Sequence, residues 1–119
     1  MKGRITFREG EVANEPADAV VAAPEGPVDE ASLREAMRRG LAEARARGLR
    51  TVAVPALGAG ALPLQRCAEV LLEEARAHLA GETSVEEIRF VLVGEPALRV
   101  FESVQDGFRI AEQARRWSS

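Results

Sequence analysis

The sequence has no tyrosine, and only one tryptophan, one cysteine, one histidine and one lysine among 119 residues. Each shortage removes a class of function. With four phenylalanines and one tryptophan, a nucleic-acid platform built on stacked bases is not expected. The formal net charge of −3 leaves no overall basic footprint for a phosphate backbone. The lone Cys67 excludes an internal disulfide and a cysteine-based metal centre. The lone His78 would have to serve any Ser/His/Asp triad, and no nucleophile-elbow sequence accompanies it. No apolar run reaches the length of a membrane span, and no secretory signal pattern opens the chain. The expectation is a cytoplasmic protein without metal, cofactor, membrane or nucleic-acid partner.

What is present reads as one α/β domain, since 119 residues suffice to bury a core without staples. The basic residues are almost all arginine, a coding or thermal-adaptation habit without functional weight. Positions 1–12 alternate at Ile5 and Phe7 against Arg4, Thr6 and Arg8, as in a half-exposed strand. Asp18 to Ala23 is a short apolar run closed by Pro24-Glu25-Gly26-Pro27, which fits a buried parallel strand and a turn. A helix begins at Asp29 or Ser32, where Ser32-Leu33-Arg34-Glu35 has the form of a capping box. It stops at Gly48, ahead of the strand Thr51 to Val54. A second helix runs from Pro63 to about Gly81, and Ile88 to Val93 reads as a central strand. A short helix follows through Val104; Gly107 then interrupts, and a last helical stretch over 105–119 ends near Trp117. Strands alternating with helices predict a layered α/β/α fold around a largely parallel sheet of about four strands.

The richest segment is Thr51 to Leu72. A buried strand is followed by Gly58-Ala59-Gly60-Ala61-Leu62, and Pro63 takes the first helical position. Leu62 offers no side-chain oxygen as an N-cap, so the N–H groups of Leu64 and Gln65 await an outside acceptor. A phosphate suits such a helix start. A tight turn capped by water explains the same residues equally well. Cys67 lies on the apolar stripe Leu64, Cys67, Leu71, Ala75, Leu79 and reads as a core residue rather than a nucleophile. His78 falls in the last turn of that helix, where positive charge is favourable.

Taken in order, these segments resemble a macro domain, the module that binds ADP-ribose. The resemblance is strongest from Ser32 to Glu102, through SLREAMRRGLAEARARGL, TVAVPALG, GAGALP and RFVLVGEPALRVFE. Gly10-Glu11-Val12 is similar to the family's Gly-Asp-Ile, and ADAVVAA to its second core strand. The resemblance implies a phosphate loop at Gly58–Leu62, an adenine-side carboxylate at Glu11, and Leu98 where many members carry an aromatic over the adenine. Glu11 also reads as a solvated loop acid, and Leu98 as a helix core residue.

The departures from the family are large. Pro24-Glu25-Gly26 stands where the family carries its catalytic asparagine, so no catalytic residue is assigned. The glycine-rich first loop, its helix and two edge strands have no counterpart, which makes Asp18–Ala23 a new sheet edge. That edge has no charge between Ala19 and Ala23 and is open to pairing with another chain. A homodimer through it, or cover from Phe108, Ile110 and Trp117, would protect it. Three functions stay open: a weak binder of ADP-ribose or a related nucleotide phosphate, an interaction protein that has kept only the fold, and a hydrolase of ADP-ribose derivatives that lacks a recognisable general base.

Overall fold

A computed structural model describes residues 3–118. Four strands, β1 (Arg4–Glu9), β2 (Ala19–Val20), β3 (Thr51–Pro55) and β4 (Glu87–Leu92), form one parallel sheet in the order β1-β4-β3-β2. Three helices, α1 (Glu30–Ala46), α2 (Leu64–Ala80) and α3 (Glu95–Ser118), follow β2, β3 and β4. The α/β class, the parallel sheet and the central place of β4 are as the sequence implied. So is β2 at an edge, although its paired part is only two residues long.

The layering follows from the order of the strands. The steps β2-α1-β3 and β3-α2-β4 move the same way across the sheet, so right-handed crossovers put both helices on one face. α3 joins them there. Arg34 and Arg38 on α1 bind Glu74 on α2 at 3.0 and 2.8 Å. Arg76 on α2 binds Glu112 on α3 at 2.6 Å and lies 5.5 Å from the Phe108 ring centre. Among the described residues the other face carries no helix beyond the 3₁₀ turn Val12–Asn14. The α/β/α sandwich is therefore built on one side only.

The strand residues on the helical face form the core. Val52, Val54, Ile88, Phe90 and Leu92 are fully buried, with Ile5 and Phe7 packed against them. Phe90 stacks on Phe7 at 5.9 Å and meets Phe101 of α3 at 5.5 Å.

The opposite face is polar at its centre. Arg89 of β4 donates to Glu87 and to Glu15, both at 2.8 Å, and Thr6 donates to Glu87 at 2.6 Å. The side chains of Glu15, Glu87 and Arg89 are only 7%, 8% and 14% exposed. Glu15 belongs to the segment that crosses this face from β1 to β2, so the ion pairs pin the crossing.

Several local expectations are corrected. The capping box of α1 is formed by Asp29 with Ser32, not by Ser32 with Glu35. Asp29 accepts from the Ser32 N–H, and Ser32 Oγ accepts from the Asp29 N–H. Asp29 lies one turn earlier and fits the N-cap with its extended backbone. At the other end Leu49 N–H bonds Ala44 and Gly48 N–H bonds Arg45, a Schellman stop that needs Gly48 at φ 69°. Gly107 does not interrupt: α3 runs unbroken from Glu95 to Ser118. A helical glycine costs only about 1 kcal/mol, and contacts of Arg76 with Phe108 and Glu112 hold the turns beyond it. The C-terminal stretch does not cover the β2 edge. α3 packs on α2 and β1, at the far side of the sheet, and leaves Ile110 and Trp117 exposed. His78 does not gain positive character, because burial and the charge of Arg45 push its pKa below 6.5.

The ion pairs set the acid limit of the fold. Hydrogen bonds from Arg89 outweigh burial and hold Glu87 below its ordinary 4.5. Burial raises Glu74, yet bonds from Arg38 and Arg34 win and leave it lowered. Both carboxylates therefore stabilise the fold above the unfolded value of 4.5, and that contribution is lost as pH falls through the folded values. Replacing Arg89 with Leu removes the partner that Glu15 and Glu87 share, leaving Glu15 to Arg8 and Glu87 to Arg4 and Thr6, and is expected to cost about 2 kcal/mol in urea unfolding at pH 7. A loss below about 0.5 kcal/mol, the usual range for surface changes, would show that the network does not pin the crossing.

Candidate functional site at the carboxyl ends of the strands

In an open parallel sheet, ligand sites form beyond the carboxyl ends of the strands. Here that end is built, across the sheet, from the segment after β1 with Glu11, the β4–α3 junction with Val93, Gly94 and Leu98, the loop 56–63 after β3, and the turn 22–29 after β2. Glu11, Leu98 and Gly58–Leu62 thus share one end of the molecule. The 3₁₀ turn Val12–Asn14 that Glu11 opens reaches across the sheet to contact β3, the strand that leads into the glycine loop.

The loop is stiffened from within. Gly58 C=O accepts from Ala61 and Leu62, both at 3.0 Å, and Ala59 N–H bonds Ala56 at 3.3 Å. Leu57 is buried, and Leu62 packs against the core. Cys67 Sγ lies 3.7 Å from the Leu62 carbonyl. The thiol is buried, and desolvation pushes its pKa up, which fits the core role expected of it. Gly58 has φ 83°, and a Cβ there would come within 3.1 Å of Leu33 and 3.2 Å of Cys67. Gly60 has φ 90° and only open space where a Cβ would be. One glycine thus seats the loop on the core, and the other leaves clearance above it.

The two helix starts at this end are satisfied differently. α1 is capped by its own Asp29. α2 has Pro63 as its N-cap, without a side-chain bond. Pro63 therefore precedes the helix rather than occupying its first position, as its ψ of 139° requires. Leu64, Gln65 and Arg66 are the first three helical residues, whose N–H groups have no intrahelical acceptor. Arg66 adds a cation beside them, tied to Glu30 and Glu69.

The remaining sequence candidates fall as follows. Glu11 is exposed and opens the 3₁₀ turn, its carbonyl accepting from Asn14 at 3.0 Å. Leu98 is half-buried in the first turn of α3 and packs on the core. Asp18 lies at the opposite end of β2, where the N–H groups of Arg50 and Thr51 bond its carboxylate at 3.0 and 3.1 Å and lower its pKa. Asp18 and Asp29 are therefore both engaged as backbone acceptors. The sequence places Val93 in the central strand. It lies just past β4, is 75% exposed, and offers an apolar surface mid-way across the site. The only sequence signal for it was Gly94, whose φ of 92° ends the strand. Among the described residues no group of His, Cys, Asp or Glu is placed to hold a metal ion, and no helix is long and apolar enough to cross a membrane.

Comparison with solved structures identifies the architecture. The chain superposes on a Trypanosoma brucei macrodomain in complex with ADP with a TM-score of 0.76, at 17% identity, covering 84% of this chain and 68% of that one. The same macrodomain in complex with ADP-ribose gives a TM-score of 0.76 at 16% identity, over 83% and 68% of the two chains. An Oceanobacillus iheyensis macrodomain with ADP gives 0.64 at 16% identity, over 69% of this chain but only 44% of that one. No protein-family model matches the sequence, and no curated protein matches it. The fold is thus that of a macrodomain in shortened form.

The two glycines are expected to respond differently to alanine. Gly58→Ala meets both a left-handed backbone and a packed core, and should cost about 2–3 kcal/mol. Gly60→Ala meets only the backbone penalty, about 1 kcal/mol. Urea midpoints of the two variants measure the difference; equal losses would show that Gly58 is not seated on Leu33 and Cys67.

Proposed function

We propose that the protein binds ADP-ribose or a related nucleotide phosphate weakly, with phosphate oxygens at the start of α2 beside Gly60. One observation carries this reading: α1 caps itself at the ligand end of the sheet, whereas α2 leaves its first N–H groups without a side-chain acceptor, next to a glycine with open space above it. A phosphate there gains charge-assisted bonds and the field of the helix dipole. The loop donors Ala59, Ala61 and Leu62 are bonded within the loop. The reading therefore rests on Gly58, Gly60, Leu64 and Gln65 more than on all five loop residues. Val93 and Leu98 supply apolar surface toward the adenine side, and Glu11 stands within a nucleotide's reach as an acceptor for an amino group. The solved macrodomains that share the fold hold ADP and ADP-ribose, which favours the same ligand class. The chain spans only part of the length of those macrodomains, and a weak affinity is expected from the smaller surface it offers a ligand.

Thermal unfolding titrated with ADP-ribose, AMP and inorganic phosphate tests the proposal. ADP-ribose at about 100 times its dissociation constant adds about 2.7 kcal/mol of stability, a clear rise in melting temperature. Gly60→Asp places a carboxylate at the phosphate position and should abolish the rise. No rise at millimolar ADP-ribose, or an undiminished rise in Gly60→Asp, would overturn the assignment.

A further inference from the structure

The edge strand β2 pairs only with β3, and Val20 on it is 49% exposed. From Ala19 to Ala23, the strand and the three residues after it, the chain has no charged residue, the usual protection of a sheet edge against a second chain. A groove of about 540 Å³ runs between this edge and the outer face of α1. Its helical rim carries Glu35, Arg39, Glu43 and Arg47, four charges of alternating sign spaced four residues apart. Within the helix they form only loose pairs, Glu35–Arg39 at 3.4 Å and Glu43–Arg47 at 3.9 Å, with all four side chains at least 60% exposed.

This row of charges is complementary to itself when reversed. Against an antiparallel copy, Glu35 faces Arg47 and Arg39 faces Glu43, twice over, with the centre of the row at Leu41. The uncharged stretch, which continues past β2 with the Val21 N–H still bonded to Ala53 at 3.0 Å, has a matching centre. Val21 is the middle of Ala19–Ala23, and Gly40 packs directly on it, a Cβ at position 40 lying 3.1 Å from Val21 Cγ2. A single two-fold axis normal to the sheet, passing the edge at Val21, therefore brings strand and charge row into register together. A helix over the β2–β3 pair would then have its copy about 10 Å away, the sum of strand spacings and an ordinary distance for packed helices. We propose that the protein is a homodimer in which β2 edges pair antiparallel into one continuous sheet and the α1 helices pack antiparallel beside them through Glu35, Arg39, Glu43 and Arg47. The same patch serves on both copies, as a two-fold interface requires. The proposal does not depend on nucleotide binding.

Sedimentation of the full chain between about 1 μM and about 1 mM should give twice the monomer mass of 12.8 kDa. Arg39→Glu with Arg47→Glu makes the row wholly acidic, and Glu35→Arg with Glu43→Arg makes it wholly basic. Each variant alone should dissociate, its dimer dissociation constant raised at least about tenfold by facing like charges. Mixed in equal amounts, the two should re-form a dimer of one acidic and one basic chain. Circular dichroism confirms folding of each before mixing. A monomeric wild type, variants that still dimerise alone, or folded variants that stay monomeric when mixed would each overturn the proposal.

Discussion

The ion pairs of Arg89 with Glu15 and Glu87 are the constraint on which the rest of the structure depends. β1 and β2 are consecutive strands at opposite edges of the sheet. The chain between them must cross the whole sheet, and it does so on the face that no helix covers. A crossing of so few residues has little apolar surface to bury. Glu15, at 7% side-chain exposure, bonds Arg89 and reaches Arg8 at 3.3 Å. A charged cluster in the centre of a sheet is costly to desolvate, and it is tolerated because each member is bonded to another. With the crossing held, β2 reaches its place beside β3, and the β2-α1-β3-α2-β4 unit builds from there.

The single helical layer decides what the molecule offers to ligands and partners. Its main apolar cluster lies on one side, where α1, α2 and α3 lie side by side over Phe7, Phe90 and Val54, while the other face buries Ala53 and Val91 beside the ion pairs. At the strand ends the start of α2 has no side-chain cap, and Gly60 beside it faces open space. The outer side of β2 faces solvent, and the alternating charges on α1 line that opening. The start of α2 and the β2 edge, to which the two proposals assign a phosphate and a second copy, belong to different elements.

Most of the architecture was legible in the sequence because parallel βαβ units have strong signatures. Alternation at Ile5 and Phe7, the apolar run before Gly58, and the periodic faces of α1 and α2 each mark an element and its buried side. What was not legible depended on partners distant in sequence. Arg89 within IRFVLV is an anomaly in a central strand, and only Glu15, 74 residues away, explains it. Gly107 carries the local sign of a break, overridden by Arg76 from another helix. Asp29 and Ser32 each satisfy a capping pattern, and the backbone at Asp29 decided between them. At the site, Gly58 and Gly60 look alike in sequence, yet one is required by Leu33 and Cys67 and the other faces open space. The placing of Glu11, Leu98 and the loop at one end was readable from strand order; the 3₁₀ turn that brings the segment after Glu11 back onto β3 was not.

The central claim is that the carboxyl end of this shortened sheet still receives a nucleotide phosphate at the start of α2. Amide chemical-shift mapping of the labelled protein during titration with ADP-ribose tests it most directly. The account predicts saturable shifts at Gly58, Gly60, Leu64 and Gln65, with smaller ones at Glu11, Val93 and Leu98. Unchanged amides at the start of α2, or shifts confined to the groove between β2 and α1, would contradict it.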